Sequence, residues 1–311
     1  MKKPLVIIAG PTAVGKTEIS IEAAKRLNGE IVSADSMQIY KYLNIGSAKP
    51  TKEEMEGIPH YLIDEIDPRT DFSVSEYRNL AKNYIDKILL KKKLPIVAGG
   101  TGLYVNSLIY DMDFSNTKSD KAIRQRLTRE YELYGGEYLH DKLKEVDRRA
   151  AERIHSNNVK RVIRALEVFY TTGESIKDFS KDLVQSKDYD YILIGLNRDR
   201  HELYERINKR VDIMFDNGLL AEVKNLVEMG LTIQDISMKG IGYKEIIGYL
   251  NGEYDLSRAI ELVKRNTRRY AKRQLTWFKR YQNMKWFNLN EDKEKIINNI
   301  IGFIEGNIKF L

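Results

Sequence analysis

An α/β fold, a parallel sheet with helices on both faces and an inserted all-helical subdomain, is what this sequence predicts. Three observations lead there. Apolar strand-like runs at 4–9, 30–34, 95–98 and 191–196 alternate with segments of helical periodicity, the order that parallel sheets require. Between the first run and the first helical segment stands Gly10-Pro11-Thr12-Ala13-Val14-Gly15-Lys16-Thr17, which fits G-x-x-x-x-G-K-[ST]. From 112 to 187 the strand runs stop and only helical periodicity remains. The expected architecture is therefore P-loop NTPase-like, with residues 1–111 and 188–311 as the core and 112–187 as the insert.

The elements follow in order. The glycines of the loop let backbone N–H groups turn in around phosphate oxygens, and the helix after it, 18–27, adds the partial positive charge of its N-terminus. Lys16 supplies a mobile full charge, and the Thr17 hydroxyl is placed to ligate Mg2+. Gly10, Pro11, Thr12, Ala13, Val14 and Gly15 join them in a site for a di- or triphosphate. The strand at 30–34 ends on Asp35-Ser36-Met37-Gln38, and 61–63 reads as a third strand. Ser73 and Ser75 read as caps for a helix from 76 to about 91. The run at 95–98 opens into Gly99-Gly100-Thr101-Gly102. Ligands of open parallel sheets sit outside the carboxyl ends of the strands, so Gly10, Asp35 and Gly99 are expected to meet.

Within the insert, Ile123, Leu127 and Tyr131 recur at helical spacing. Val159, Val162, Ile163, Leu166, Phe169 and Tyr170 form a second stripe, leaving Lys160, Arg161 and Arg164 away from it. After the strand at 191–196, helices are expected over 200–215 and 219–228, with Gly218 and Gly230 as breaks. Over 256–280, Ile260, Val263, Thr267, Tyr270, Ala271, Trp277 and Phe278 share one face, and Arg265, Arg268, Arg269 and Lys272 fall at i, i+3, i+4, i+7 on another. Trp286 and Phe287 read as core, and the chain closes on a helix.

Composition sets limits. The 311 residues suffice for a full core, and no apolar run nears the roughly 18 residues of a membrane span, so no membrane association is expected. Met1-Lys2-Lys3 and the short apolar run after it resemble a signal peptide, but the run leads into a phosphate loop that cleavage would destroy; a cytoplasmic location is expected. The absence of cysteine excludes disulfides, thiolate metal sites and Cys nucleophiles. His60, His140, His155 and His201 never pair at metal-ligand spacing, which argues against a zinc hydrolase. From 258 to 285 ten Lys or Arg stand against one acid, Glu261, while the whole chain carries +7. One concentrated basic element is the footprint of a nucleic-acid binder, although a lysine-rich helix face can equally be a solvated surface. Nothing resembles a dimerisation element, so a monomer is expected.

A nucleoside triphosphatase needs a second acid at the end of a strand beside the P-loop. Here the strand at 95–98 ends in Gly-Gly-Thr-Gly instead, which lowers the case for ATP hydrolysis. The acid present is Asp35. From the residues alone it serves equally as a proton acceptor or, with Ser36, as the N-cap of the next helix.

Gly-Pro-Thr-Ala-Val-Gly-Lys-Thr at 10–17, Ser-Ala-Asp-Ser-Met-Gln-Ile-Tyr at 33–40, Ala-Gly-Gly-Thr-Gly-Leu-Tyr at 98–104, Lys-Arg-Val-Ile-Arg-Ala-Leu-Glu-Val at 160–168, Gly-Ile-Gly-Tyr-Lys-Glu at 240–245 and Arg-Tyr-Ala-Lys-Arg-Gln-Leu-Thr-Trp-Phe-Lys-Arg at 269–280 together resemble the bacterial tRNA dimethylallyltransferases, over essentially the whole chain. The resemblance implies transfer of a dimethylallyl group from dimethylallyl diphosphate to the exocyclic amine of adenosine 37 in the tRNA anticodon stem-loop, with Mg2+ as cofactor. It implies Asp35 as general base, Lys16, Thr17 and Arg210 around the departing diphosphate, and Thr101 near the bridging oxygen or the target nucleotide. It also implies RNA contacts from Asp35, Ser36, Met37, Gln38 and Thr101, from Arg124, from Lys160, Arg161, Val162, Ile163 and Arg164, and from Arg268, Arg269, Lys272 and Arg273. Lys160 and Lys41 stand where the family commonly has Gln and Arg, which puts individual contacts in doubt. Rival readings are an adenylate isopentenyltransferase, an ATP-dependent small-molecule kinase and a non-catalytic RNA-binding module. The insert and the basic segment argue against the first, since a mononucleotide needs neither.

Overall fold

The computed structural model of the protein describes residues 2–112, 120–176 and 184–308. The chain divides into two compact units, Met1–Ile109 with Ser186–Leu311, and Tyr110–Gln185.

The larger unit opens with β1 (Lys3–Ala9), α1 (Lys16–Arg26), β2 (Gly29–Ala34), β3 (His60–Tyr61), α2 (Val74–Leu90), β4 (Leu94–Gly99) and α3 (Gly102–Ile109). The smaller unit holds α4 (Lys121–Val146), α5 (Arg148–Arg153) and α6 (Val159–Thr172). The larger unit resumes with β5 (Tyr189–Asn197), α7 (Arg200–Asp216), α8 (Leu219–Glu228), α9 (Tyr243–Leu250), α10 (Leu256–Phe278), β6 (Lys285–Asn288) and α11 (Lys293–Asn307). Among the described residues no helix is long and apolar enough to cross a membrane.

The strands form one sheet in the order β3-β2-β4-β1-β5-β6, with every neighbouring pair parallel. A parallel sheet covered on both faces needs apolar residues without alternation, and Leu5 to Ala9 are all fully buried. On one face the isoleucines of α11 (Ile296, Ile297, Ile300, Ile301 and Ile304) join Ile19, Ala23 and Ala24 of α1 over Val6, Ile8, Ile31, Ile96 and Ile194. Elsewhere in this unit Tyr77 of α2 stacks on Tyr104 of α3, centroids 3.8 Å apart. Register puts Ala9 and Ala34 both opposite Gly99, so β1, β2 and β4 end at one rim. A Cβ on Gly99 would run into the Ala34 carbonyl, which is why glycine stands there.

Two expectations shift. The third strand is His60–Tyr61 rather than 61–63, because Leu62 turns to φ 61° and leaves the sheet. The helix expected from 76 begins at Val74: Ser73 alone caps it, in a reciprocal box with Glu76, and Ser75 lies inside the first turn. β6, a four-residue edge strand on β5, carries Trp286 and Phe287, both half-buried, and Phe287 packs against the main core.

In the helical unit, Leu127, Leu139, Leu143, Ala150, Val162, Ala165 and Leu166 make a separate core. Asp120 caps α4 through Oδ1, and the helix breaks at Gly135, where φ is 82°. That break ends the periodicity of its first half, and Tyr131 and Tyr170, expected on the buried stripes, are 39% and 37% exposed.

Candidate active site

The phosphate loop is braced by the chain itself. Lys16 Nζ donates to the Pro11 carbonyl at 2.8 Å. From the segment after β5 and from α7, Arg198 Nε donates to Val14 O and Arg206 Nε to Ala13 O, each at 3.0 Å. Arg210 Nη1 reaches Thr12 Oγ1 at 3.4 Å, and the Thr12 N–H donates to Gln274 Oε1 of α10 at 2.9 Å. Gly15 sits at φ 112° immediately before α1, a left-handed conformation that only glycine adopts readily.

The rim opposite belongs to Asp35 and Thr101. Asp35 Oδ1 accepts from the backbone N–H groups of Met37 at 2.9 Å and Gln38 at 3.3 Å, while Oδ2 takes no part in that turn. No helix follows, so the expected N-cap is instead a turn closed by one oxygen, and the other is left outside it. Thr101 Oγ1 accepts from the Ser36 N–H at 3.1 Å, its own N–H donates to Ala34 O at 3.0 Å, and the Gly100 carbonyl beside it accepts from Gln274 Nε2 of α10 at 2.9 Å. The ends of β2 and β4 are therefore tied to each other and to α10.

Two cavities meet here. One, of about 540 Å³, is lined by Lys16, Thr17, Arg206, Lys209, Arg210 and Gln274 among others. The second, of about 330 Å³, has walls of Met37, Ile207, Val211, Met214, Ile241 and Val263. Thr12, Ala13, Asp35, Arg210 and Tyr270 line both. The first has the phosphate loop and its cations for an anion, the second adds Lys239, Lys244 and Arg273 to its apolar walls, and the Asp35 carboxylate stands between them.

Burial pushes the Lys16 ammonium down to about 8, against the opposing pull of Asp35 and with some help from Arg210. Burial likewise lowers Arg210, again opposed by Asp35. Burial and the Asp35 charge push the Tyr270 hydroxyl up to about 12, keeping it a neutral donor. Two cations and one carboxylate thus feel one another across the shared wall.

A family model described as IPP transferase matches residues 38–281. The chain belongs to the IPP transferase family. The tRNA dimethylallyltransferase of Alkaliphilus oremlandii is 59% identical over 93% of each chain. The crystal structure of the tRNA isopentenylpyrophosphate transferase of Bacillus halodurans is 46% identical, with a TM-score of 0.75 over 98% of this chain and 97% of that one. A eukaryotic dimethylallyltransferase solved acting on tRNA is 28% identical, with a TM-score of 0.82 over 99% of this chain and 81% of the other.

In this IPP transferase, the residues expected at the diphosphate and at the base, 10–17, Asp35, Thr101 and Arg210, gather at the rim. Several of the expected RNA contacts do not stand as free groups. Val162 and Ile163 are buried in the core of the helical unit, so their side chains hold α6 in place. Arg124 Nη2 and Arg164 Nη1 both donate to Oε2 of the fully buried Glu167 at 2.8 Å, a carboxylate that the two guanidiniums hold below the usual range. Arg268 Nη1 donates to Asn208 Oδ1 at 2.5 Å and Arg265 is half-buried, so the stripe expected on α10 narrows to Arg269 and Lys272, with Arg273 beside them. Gln38 commits its amide to its own loop, donating to Ala48 O at 3.1 Å and accepting from Ser33 Oγ at 3.3 Å. Lys160 and Arg161 stay exposed at the start of α6.

Sequence reading missed Arg198, Arg206, Gln274 and Glu222, and it filed Tyr270 with the core. Glu222 of α8 accepts from the backbone N–H groups of Asn44 (3.0 Å), Ile45 (2.8 Å) and Gly46 (3.1 Å), fixing the loop whose next residues, Ser47 and Ala48, line both the cavity wall and the Gln38 amide. The adjacency of Arg206 and Arg210 on one face of α7 was the one available signal, since both spacings fit a helix turned toward an anion.

Proposed function

We propose that this IPP transferase moves a dimethylallyl group from dimethylallyl diphosphate to the exocyclic amine of adenosine 37 in the tRNA anticodon stem-loop. The transferase activity toward tRNA is the activity that its relatives' names carry. The observation that supports the rest is Asp35 on the wall shared by the phosphate-loop cavity and a second cavity whose walls combine apolar side chains with cations. The adenine nitrogen attacks the allylic carbon, the bond from that carbon to the diphosphate oxygen breaks, and the amine proton passes to Asp35. Lys16 and Arg210 meet the charge that grows on the departing diphosphate. Thr101, bonded to the Ser36 N–H, steadies the turn that carries Asp35, and Tyr270 lines both cavities.

Among the described residues no three His, Cys, Asp or Glu side chains gather to hold a metal. That donor set suits Mg2+ carried by a diphosphate, which keeps several waters and asks the protein for one or two oxygens. The exposed Thr17 hydroxyl, in the cavity of Lys16, would hold it. When bound, the ion neutralises phosphate charge. On the RNA side we assign Arg269, Lys272, Arg273, Lys160 and Arg161 to phosphates and Ser36 and Met37 to the target nucleotide.

Incubation with labelled dimethylallyl diphosphate and either tRNA or AMP tests the reading. Label is expected in tRNA alone; label in AMP points to an adenylate prenyltransferase, and no label in either overturns the proposal.

Lys16 makes diphosphate binding pH-dependent. Below pH 8 its ammonium is already charged, so inorganic diphosphate binds without proton uptake. Above pH 8 the neutral amine must gain a proton, so affinity falls by up to about tenfold per pH unit. Calorimetry in buffers of different ionisation enthalpy should detect up to one more proton taken up at pH 9 by the parent than by Lys16→Met, the ligand's own ionisation being common to both.

Changing Arg269 and Lys272 together to Gln should reduce the slope of log affinity for tRNA against log salt by about 1 to 2, at ~0.7–0.9 per phosphate. Arg268→Gln, whose guanidinium is held by Asn208, should leave that slope unchanged. An unaltered slope in the double variant would return α10 to the status of a solvated face.

A further inference from the structure

We infer that Gln274 is a positioning residue that sets the register between the diphosphate cradle and the Asp35 rim. The inference rests on the transfer reaction proposed above. Gln274 lies on α10 and is only 6% exposed, a buried uncharged amide on the most basic helix of the chain. Its Oε1 accepts the Thr12 N–H of the phosphate loop at 2.9 Å, and its Nε2 donates to the Gly100 carbonyl after β4 at 2.9 Å. The residue after Gly100, Thr101, accepts the Ser36 N–H next to Asp35 at 3.1 Å and donates its own N–H to Ala34 O at 3.0 Å. One side chain therefore fastens the ends of β1 and β4, and through Gly100 and its neighbour Thr101 reaches the end of β2.

Gly100 is shaped around it. A Cβ at that position would collide with Gln274 Nε2, so backbone and amide fit only as a pair. An amide is required because the two partners are of opposite kind, one N–H and one carbonyl. Glutamate can accept from Thr12 but presents a second acceptor to Gly100, and an apolar residue serves neither. Buried partners left unsatisfied are costly, so the loops must shift if the amide is lost.

The reaction asks for this link. The leaving group is gripped by the phosphate loop, whereas the proton acceptor stands on the β2 end, and a mismatch of about 1 Å between them can cost on the order of 10²-fold in rate. Gln274 borders the phosphate-loop cavity, but both ends of its amide are engaged by Thr12 and Gly100, so it acts on the rate by holding two gripping elements at one spacing.

Gln274→Met, close in volume, should lower kcat by about 10²-fold, with KM for tRNA and Kd for inorganic diphosphate each within about threefold of the parent. Gln274→Glu should lose kcat as well, since it keeps one bond and opposes the other. Amide hydrogen exchange, which needs no turnover, should show Thr12 exchanging at least tenfold faster in Gln274→Met, with the core strands β1 and β4 still protected. Parental kcat in Gln274→Met, a loss confined to KM or Kd, or unaltered exchange at Thr12 would each overturn the inference. A parent protein that transfers no label to tRNA counts against the proposed reaction instead, and the exchange measurement then decides the role of Gln274 separately.

Discussion

Asp35→Asn is expected to lower the rate of transfer to tRNA by about 10²-fold or more while tRNA affinity and thermal stability hold. The argument turns on the two oxygens. Oδ1 accepts the Met37 and Gln38 N–H groups, and an asparagine carbonyl can continue to do so. What asparagine cannot do is take a proton from an amine whose acidity rises as the new carbon–nitrogen bond forms. Asp35→Ala separates the roles further, because it should lose the rate and, in addition, about 1 kcal/mol of stability with the turn's hydrogen bonds. Steady-state rates beside melting curves for both variants make the comparison. A near-parental rate in Asp35→Asn would remove proton acceptance from Asp35 and leave it a turn-former.

The second large effect belongs to the cations. Lys16→Met and Arg210→Met should each reduce kcat by about 10²–10³-fold, the scale seen when one preorganised donor to developing negative charge is removed. Single-turnover transfer with saturating tRNA measures it. Both side chains are half-buried in the cavity wall and feel Asp35, so the charge they offer is only partly screened by solvent. Their Coulombic coupling to the carboxylate also means the losses should not add: the double variant is expected to lose less than the product of the two. A loss confined to diphosphate affinity, with kcat unchanged, would mean that these groups hold the substrate and the leaving group equally well.

The rim was legible in the sequence wherever backbone conformation itself writes the signal. The phosphate loop, the strand that ends at Asp35 and the Gly99-Gly100-Thr101 turn all lie where a strand stops, and parallel topology then brings their ends together. What stayed hidden acts over long separations. Gln274 meets Thr12 across 262 residues, and a glutamine within an amphipathic basic helix carries no mark of its partners. Tyr270 shares the helical phase of Val263 and Ala271, so periodicity alone assigns it to packing, although it faces two cavities. The arginines failed differently: spacing says which cations share a face but not which are already engaged, and Glu167 and Asn208 take three of them. Val162 and Ile163 belong to a motif read as one contact surface, while helical geometry turns its apolar members inward.

The carbonyls of Pro11, Ala13 and Val14 are each held by a cation of the chain, and the Thr12 N–H by an amide. Binding an anion there should freeze few additional torsions, so its affinity is spared most of the ordering cost that a floppy glycine loop would impose. Loosening one of those outer braces, as in Arg198→Ala, would then show itself as an entropic weakening of diphosphate binding even though that guanidinium's bond is to the loop's own backbone.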